Sequence, residues 1–158
     1  KIKVLEYNCR MGDPETQNLM ITLENKNIDL LDMILNAPAT NVKDLNVIDL
    51  DQENKGYCCT IVLAAKGYPG PYEKGFYIDT SRIKENLKIK IFHAGTVLDD
   101  NKVCVIGGRI LTVNVFSEDR EKAINIAYEN IKKIKIFEDK DMSIENNSLV
   151  FFREDIGN

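Results

Sequence analysis

The stretch YCCTIVLAAKGYPGPYEKG, residues 57–75, decides the fold. Its first nine residues form a nearly continuous apolar run rich in β-branched side chains, which predicts a strand covered on both faces. The nine that close it, Gly67–Gly75, hold three glycines and two prolines. Such a composition cannot pair as a strand and predicts a structured loop. Downstream the pattern stays β. Residues 88–93 alternate Lys-Ile-Lys-Ile, 96–98 and 103–106 flank an Asp-Asp-Asn-Lys turn, and Gly107-Gly108 leads into an apolar run over 109–116. Together these predict a compact β meander or small barrel. Ser117 is placed to cap a helix with Glu118 and Asp119 in its first turn and an apolar stripe of Ala123, Ala127, Ile131 and Ile134. That helix is expected to pack on the sheet, and 149–152 to close the chain as a short strand.

Upstream the character differs. Residues 1–6 read as a strand whose partners are expected in polypeptide preceding this sequence, so a truncated N-terminus is expected. A polar turn follows over 8–13. Asp13-Pro14 then reads as N-cap and first residue of a helix reaching about Leu23, and a second helix is expected near Asp29–Leu35, ended by Ala37-Pro38. Residues 39–56 are polar and aperiodic, which places a domain boundary there. The fold class is α+β: residues 1–50 form a strand, a turn and two helices, and 51–158 a small, mostly antiparallel β domain with one long packed helix.

Composition narrows the function. The chain has 158 residues, 44% of them hydrophobic and 29% charged, as expected of a globular protein. A net charge of -4 without a dense Lys/Arg cluster argues against nucleic-acid or anionic-membrane partners. No apolar run approaches the length of a membrane span, no signal peptide is expected, and cytoplasm is the expected location. The four cysteines, Cys9, Cys58, Cys59 and Cys104, form no CxxC pair. They are expected to be buried reduced thiols, not disulfides or zinc ligands.

The densest chemistry lies in EYNCRMGDPE, residues 6–15. Glu6, Asn8 and Arg10 alternate along one strand face. A carboxylate and an amide oxygen are hard donors suited to Mg²⁺ with bound phosphate, and an Arg beyond them can fork onto phosphate or carboxylate. Gly12 permits close backbone approach, and the helix start directs free N–H groups to the same place. A solvated strand end followed by a capped helix would use the same residues.

These residues also carry a resemblance. LEYNCRMGDPETQ (5–17) resembles the metal-binding segment of the phosphoribosylamine–glycine ligase family of ATP-grasp enzymes. AAKGYPGPYEKG (64–75), FHAGT (92–96), GGRILTV (107–113) and REDIG (153–157) resemble, in order, the motifs of that family's C-terminal domain. The resemblance implies that residues 1–50 end an ATP-grasp domain. It implies an ATP-dependent carbon–nitrogen ligase of purine biosynthesis, joining glycine to 5-phosphoribosylamine to give glycinamide ribonucleotide, ADP and phosphate. Glu6 and Asn8 would be the Mg²⁺ or Mn²⁺ ligands, and Arg10 would stabilise glycyl phosphate. The N-terminal domain and most of the ATP-grasp domain would lie elsewhere in the same enzyme, leaving these residues inactive alone.

Further residues follow from their chemistry. Asp13 or Glu15 could hold the glycine ammonium, although Asp13 could equally cap the helix. Lys66 and Arg109, beside glycines, could meet the phosphate of phosphoribosylamine, although Arg109 could instead extend from the core edge. His93 reads as structural. Two other readings are an ATP-grasp ligase for a different acid and amine, and a non-catalytic carrier domain, for which Lys102 is the nearest candidate lysine.

Overall fold

The computed structural model describes residues 2–5, 7–36 and 56–157. The segment 2–5 has no regular structure, and Ile2 and Leu5 are fully exposed. The opening strand expected there is not formed, because among the described residues no segment lies beside it to accept its ladder. The helix α1 spans Glu15–Asn25 and α2 spans Leu30–Asn36. Asp29 starts α2 as expected, its Oδ1 accepting from the amides of Leu31 at 2.8 Å and Asp32 at 3.2 Å. The stop expected at Ala37-Pro38 and the boundary over 39–56 lie outside the described residues, apart from Gly56.

Among the described residues eight strands follow: β1 (Tyr57–Ala65), β2 (Tyr77–Asp79), β3 (Ile89–His93), β4 (Thr96–Asp99), β5 (Lys102–Val105), β6 (Arg109–Ser117), β7 (Lys135–Phe137) and β8 (Val150–Phe151), with α3 (Arg120–Ile131) between β6 and β7. They form two antiparallel sheets of four, ordered β3-β6-β1-β8 and β4-β5-β2-β7. The expected meander is therefore two sheets. Ala94 and Gly95 turn the chain from one sheet to the other, and β6 crosses back to lie between β3 and β1. The strands β2 and β7 are too short and too weakly patterned to stand out in the sequence; they form because Tyr77 and Ile78 find Phe137 and Ile136 across the ladder.

The pairing of β1 with β6 sets Cys59 opposite Val115, Ile61 opposite Val113 and Leu63 opposite Leu111. These share one face, and Ala123, Ala127 and Ile131 of α3 join them in the core. Ile61, Leu111 and Val113 are fully buried, each stabilising the fold by roughly 1.5–3 kcal/mol relative to exposure. The opposite face of the same strands is covered by α1: Asn18 donates to the Cys58 carbonyl at 3.0 Å and to Thr60 Oγ1 at 3.3 Å, and Thr60 in turn donates to Asn114 Oδ1 at 2.8 Å. The double coverage expected from the apolar run is thus supplied by a helix on either side.

Ser117 does not cap α3. The ladder with β1 continues through it, opposite Tyr57, and Asp119 is the cap, its Oδ1 accepting from the Lys122 amide at 2.8 Å. The helix ends at Ile131, so Ile134 enters the core from the following turn. Cys9 is exposed, contrary to expectation, whereas Cys59 and Cys104 are buried, and all four cysteines are free thiols.

The turn between β4 and β5 has positive φ at Asp100 (45°) and Asn101 (65°), as a two-residue hairpin requires. Its base is fastened by Tyr77, whose hydroxyl donates to Asp99 Oδ2 at 2.7 Å, and by Lys140, which reaches Asp99 at 2.9 Å and Asp100 at 2.6 Å. The Asp99 carboxylate favours the protonated phenol and pushes Tyr77 up to about 12, while Lys140 and Tyr77 hold Asp99 below the usual carboxylate range. A raised acid stabilises the folded state below its unfolded pKa and loses that contribution as pH rises toward its folded one. In an ultraviolet titration of the six tyrosines, one is expected to ionise near pH 12 in the native protein. In Asp99→Asn it is expected to return toward the ordinary phenol range; a native curve without a late step would remove this pin.

Candidate functional site

The segment 7–14 meets the start of β6 at Asp13, which Arg109 contacts. Tyr7, Asn8, Cys9 and Arg10 are exposed. Arg10 donates through Nη1 to the Met11 carbonyl at 3.0 Å. Glu6 lies outside the described residues. Two bonds anchor Gly12, whose carbonyl accepts from the Thr16 amide at 2.9 Å and from Thr16 Oγ1 at 2.6 Å. Asp13 does not act as a cap: Pro14 occupies the N-cap position without a side-chain bond, and the Asp13 carboxylate is turned elsewhere. Its Oδ1 accepts from Gln17 Nε2 at 3.0 Å, and its Oδ2 lies 3.1 Å from Arg109 Nη2. Arg109 Nη1 also donates to the Asp13 carbonyl at 3.0 Å.

Arg109 joins this first segment to the others. Its carbonyl accepts from the Gly95 amide at 2.8 Å, and Ala94 donates to the next carbonyl, Ile110, at 2.9 Å. A Cβ on Gly95 would lie 2.6 Å from Gly107 Cα, so the two turns touch backbone to backbone. Tyr68 covers Gly108 so closely that a Cβ there would stand 2.1 Å from its ring, and Tyr72 meets Tyr68 edge to face at 5.9 Å. The loop at 67–75, the turn after β3, the Gly107-Gly108 turn and the Asp13 segment are therefore one assembly. The sequence marks these pieces by repeated glycines at the ends of separate strands, but carries no sign that they touch.

Lys66 is exposed and its amide donates to the Leu149 carbonyl at 2.8 Å. It lines a cavity of about 490 Å³ with Pro71, Tyr72, Glu73, Ser148 and Leu149, a lining that does not include Arg109. Glu15 is exposed beside Pro14 at the mouth of a larger groove of about 690 Å³, which runs between α1 and α3 along Tyr57–Thr60. Cys58 lines that groove, but burial pushes its thiol up to about 11, so it offers no thiolate near neutrality. His93 Nδ1 lies 3.0 Å from Thr96 Oγ1 and bridges the turn between β3 and β4, as a structural histidine would. Lys102 Nζ donates to the Lys140 carbonyl at 2.6 Å, so it is not the free hairpin-tip lysine a carrier domain needs.

No helix among the described residues is long and apolar enough to cross a membrane. The last motif, Arg153–Gly157, folds its backbone onto α3: Tyr128 Oη donates to the Arg153 carbonyl at 3.1 Å and accepts from the Ile156 amide at 2.9 Å.

The architecture is α+β, two antiparallel sheets with helices packed on them. Residues 58–158 match the family described as phosphoribosylglycinamide synthetase, C domain, and the chain belongs to that family. Its relatives include phosphoribosylamine–glycine ligases and multifunctional purine biosynthetic proteins. The one from Fusobacterium nucleatum is 38% identical over 159 aligned positions, covering 99% of this chain and 33% of the relative. The trifunctional purine biosynthetic protein adenosine-3 of Gallus gallus is 36% identical over 132, covering 84% of this chain and 13% of the relative. The crystal structure of phosphoribosylamine–glycine ligase from Thermotoga maritima superposes with a TM-score of 0.62 at 29% identity, over 92% of this chain and 32% of that one. The chain therefore spans about a third or less of the length of these relatives.

Proposed function

We propose that this chain is the C-terminal part of a phosphoribosylamine–glycine ligase of purine biosynthesis, working in the cytoplasm, with residues 1–50 ending an ATP-grasp domain and 51–158 forming the C domain. The observation that carries the reading is the near-complete span of its likeness to the Fusobacterium ligase, which includes the first segment as well as the β domain. ATP, glycine and 5-phosphoribosylamine are the substrates. A glycine carboxylate oxygen attacks the γ-phosphorus, ADP departs, and glycyl phosphate results. The amine nitrogen of phosphoribosylamine then attacks the acyl carbon, phosphate leaves and the nitrogen loses a proton. No side-chain nucleophile takes part.

Glu6 and Asn8 supply oxygen donors of the type Mg²⁺ or Mn²⁺ prefers, and we assign them as its ligands. When bound, that ion neutralises charge on the phosphates of ATP. Arg10 is assigned to the acyl phosphate. Gly12 lets substrate approach the backbone. Because Gln17 and Arg109 already engage the Asp13 carboxylate, the glycine ammonium falls to Glu15. Lys66, exposed beside the glycine–proline loop, is assigned to the phosphate of phosphoribosylamine.

The test is phosphate release from ATP by the longer polypeptide containing this chain. Release is expected to require Mg²⁺ or Mn²⁺, glycine and phosphoribosylamine together. Turnover indifferent to glycine would point to another acid and overturn the reading.

A further inference from the structure

Arg109 grips a single residue at two points, the Asp13 carbonyl at 3.0 Å and the Asp13 carboxylate at 3.1 Å. Each side of that grip is itself held. On the sheet side, Arg109 pairs with Ala64 across the β1·β6 ladder and its carbonyl receives the Gly95 amide, with Gly95 backed against Gly107. On the other side, the second Asp13 oxygen receives Gln17, and the preceding carbonyl, Gly12, receives Thr16 twice. The far end of α1 has separate moorings: Asn25 Nδ2 donates to the Leu87 carbonyl at 2.6 Å, and Lys90 lies 3.2 Å from Glu24. Asn18, in its first turn, bonds to Cys58 and Thr60. The Arg109–Asp13 pair adds a tie ahead of the helix, at the residue where the segment carrying Asn8 and Arg10 runs into it.

We infer that Arg109 is a positioning residue, whose guanidinium sets the segment 8–13 against the β domain and does not meet the phosphate of phosphoribosylamine. The catalytic consequence rests on the ligase reading above; the mechanical one does not. With both terminal nitrogens engaged at Asp13, the end-on fork of the guanidinium is occupied, and a phosphate would have to take its Nε edge or displace Asp13. The pair is about half exposed, so it is strong enough to fix a loop locally without governing global stability.

Hydrogen exchange on the 158-residue chain tests the mechanical part. The Thr16 and Asn18 amides bond to Gly12 and Pro14 and report opening at the near end of α1. Arg109→Gln and Asp13→Ala are each expected to speed exchange over residues 12–18 roughly tenfold, the scale of one charge-assisted bond. The double variant should add little, and exchange in β6 should stay unchanged. Unchanged exchange over 12–18, or single effects that multiply in the double variant, would overturn the inference. In the full ligase, both single variants are expected to lower kcat while leaving KM for phosphoribosylamine within about threefold. A rise in that KM in Arg109→Gln that Asp13→Ala does not share would make Arg109 a phosphate ligand instead. If the full protein proves not to be a glycine ligase, the exchange experiment still decides whether the clamp exists.

Discussion

On the function proposed above, Asn8→Ala and Glu6→Ala, made separately in the longer polypeptide, are each expected to lower kcat/KM by two decades or more, with the loss visible in kcat at saturating glycine. Two decades correspond to about 2.7 kcal/mol of transition-state stabilisation. That is the scale expected when an oxygen donor to a divalent ion is lost and charge on the transferring phosphoryl group goes partly uncompensated. A solvated strand end would give no such loss, because removing one exposed polar side chain changes stability by less than about 0.5 kcal/mol. Cys9→Ala is the matched control: its thiol is exposed in the same segment and is a poor donor for a hard ion. Mn²⁺ affinity followed by electron paramagnetic resonance separates the causes. Weaker Mn²⁺ binding in both variants supports ligation, while unaltered affinity with lost turnover would assign the pair a role in substrate binding.

Gly95→Ala is expected to cost about 2–3 kcal/mol of unfolding free energy, measured by urea denaturation followed by circular dichroism. The added carbon would meet Gly107 Cα at 2.6 Å and the Arg109 carbonyl at 2.7 Å, both backbone atoms that cannot rotate aside. Gly75→Ala makes the useful comparison. Gly75 has φ 86° but open space around its missing Cβ, so it pays only the conformational penalty of about 1 kcal/mol. Equal costs at the two sites would mean that the Gly95–Gly107 approach relaxes easily. A larger cost at Gly95 would also predict a displaced Arg109, since the two are joined through one hydrogen bond.

Much of the β domain was legible in the sequence because its signals are local. The apolar run at Tyr57–Ala65, the alternation at Lys88–His93 and the Asp100-Asn101 turn each specify their own conformation. The short strands β2 and β7 were not legible, since three residues carry no usable period and only the partner strand makes them extended. The cap of α3 lies two residues beyond the one the sequence suggests because Ser117 and Asp119 are both good caps; the length of the ladder with β1 decides between them. At the site, Asn8, Arg10, Gly12 and Asp13 could be chosen from residue chemistry. The bond between Asp13 and Arg109 could not, because 96 residues separate them and nothing in either motif announces the other. The helix start illustrates the same limit: Asp13-Pro14 has the letters of a cap, and a distant arginine takes the carboxylate away.

The position of α1 bears on how such domains could be exchanged between proteins. The recognised family pattern begins at Cys58, but Ile21 and Leu23 of α1 are buried, and Asn18 satisfies the Cys58 carbonyl. A graft beginning at Cys58 would carry the strands and leave their lid behind, baring the face of β1 and β6 that α1 shields. The transferable piece is discontinuous in sequence logic but continuous in space, and its seam runs ahead of Gly12, on the far side of the Asp13–Arg109 bond.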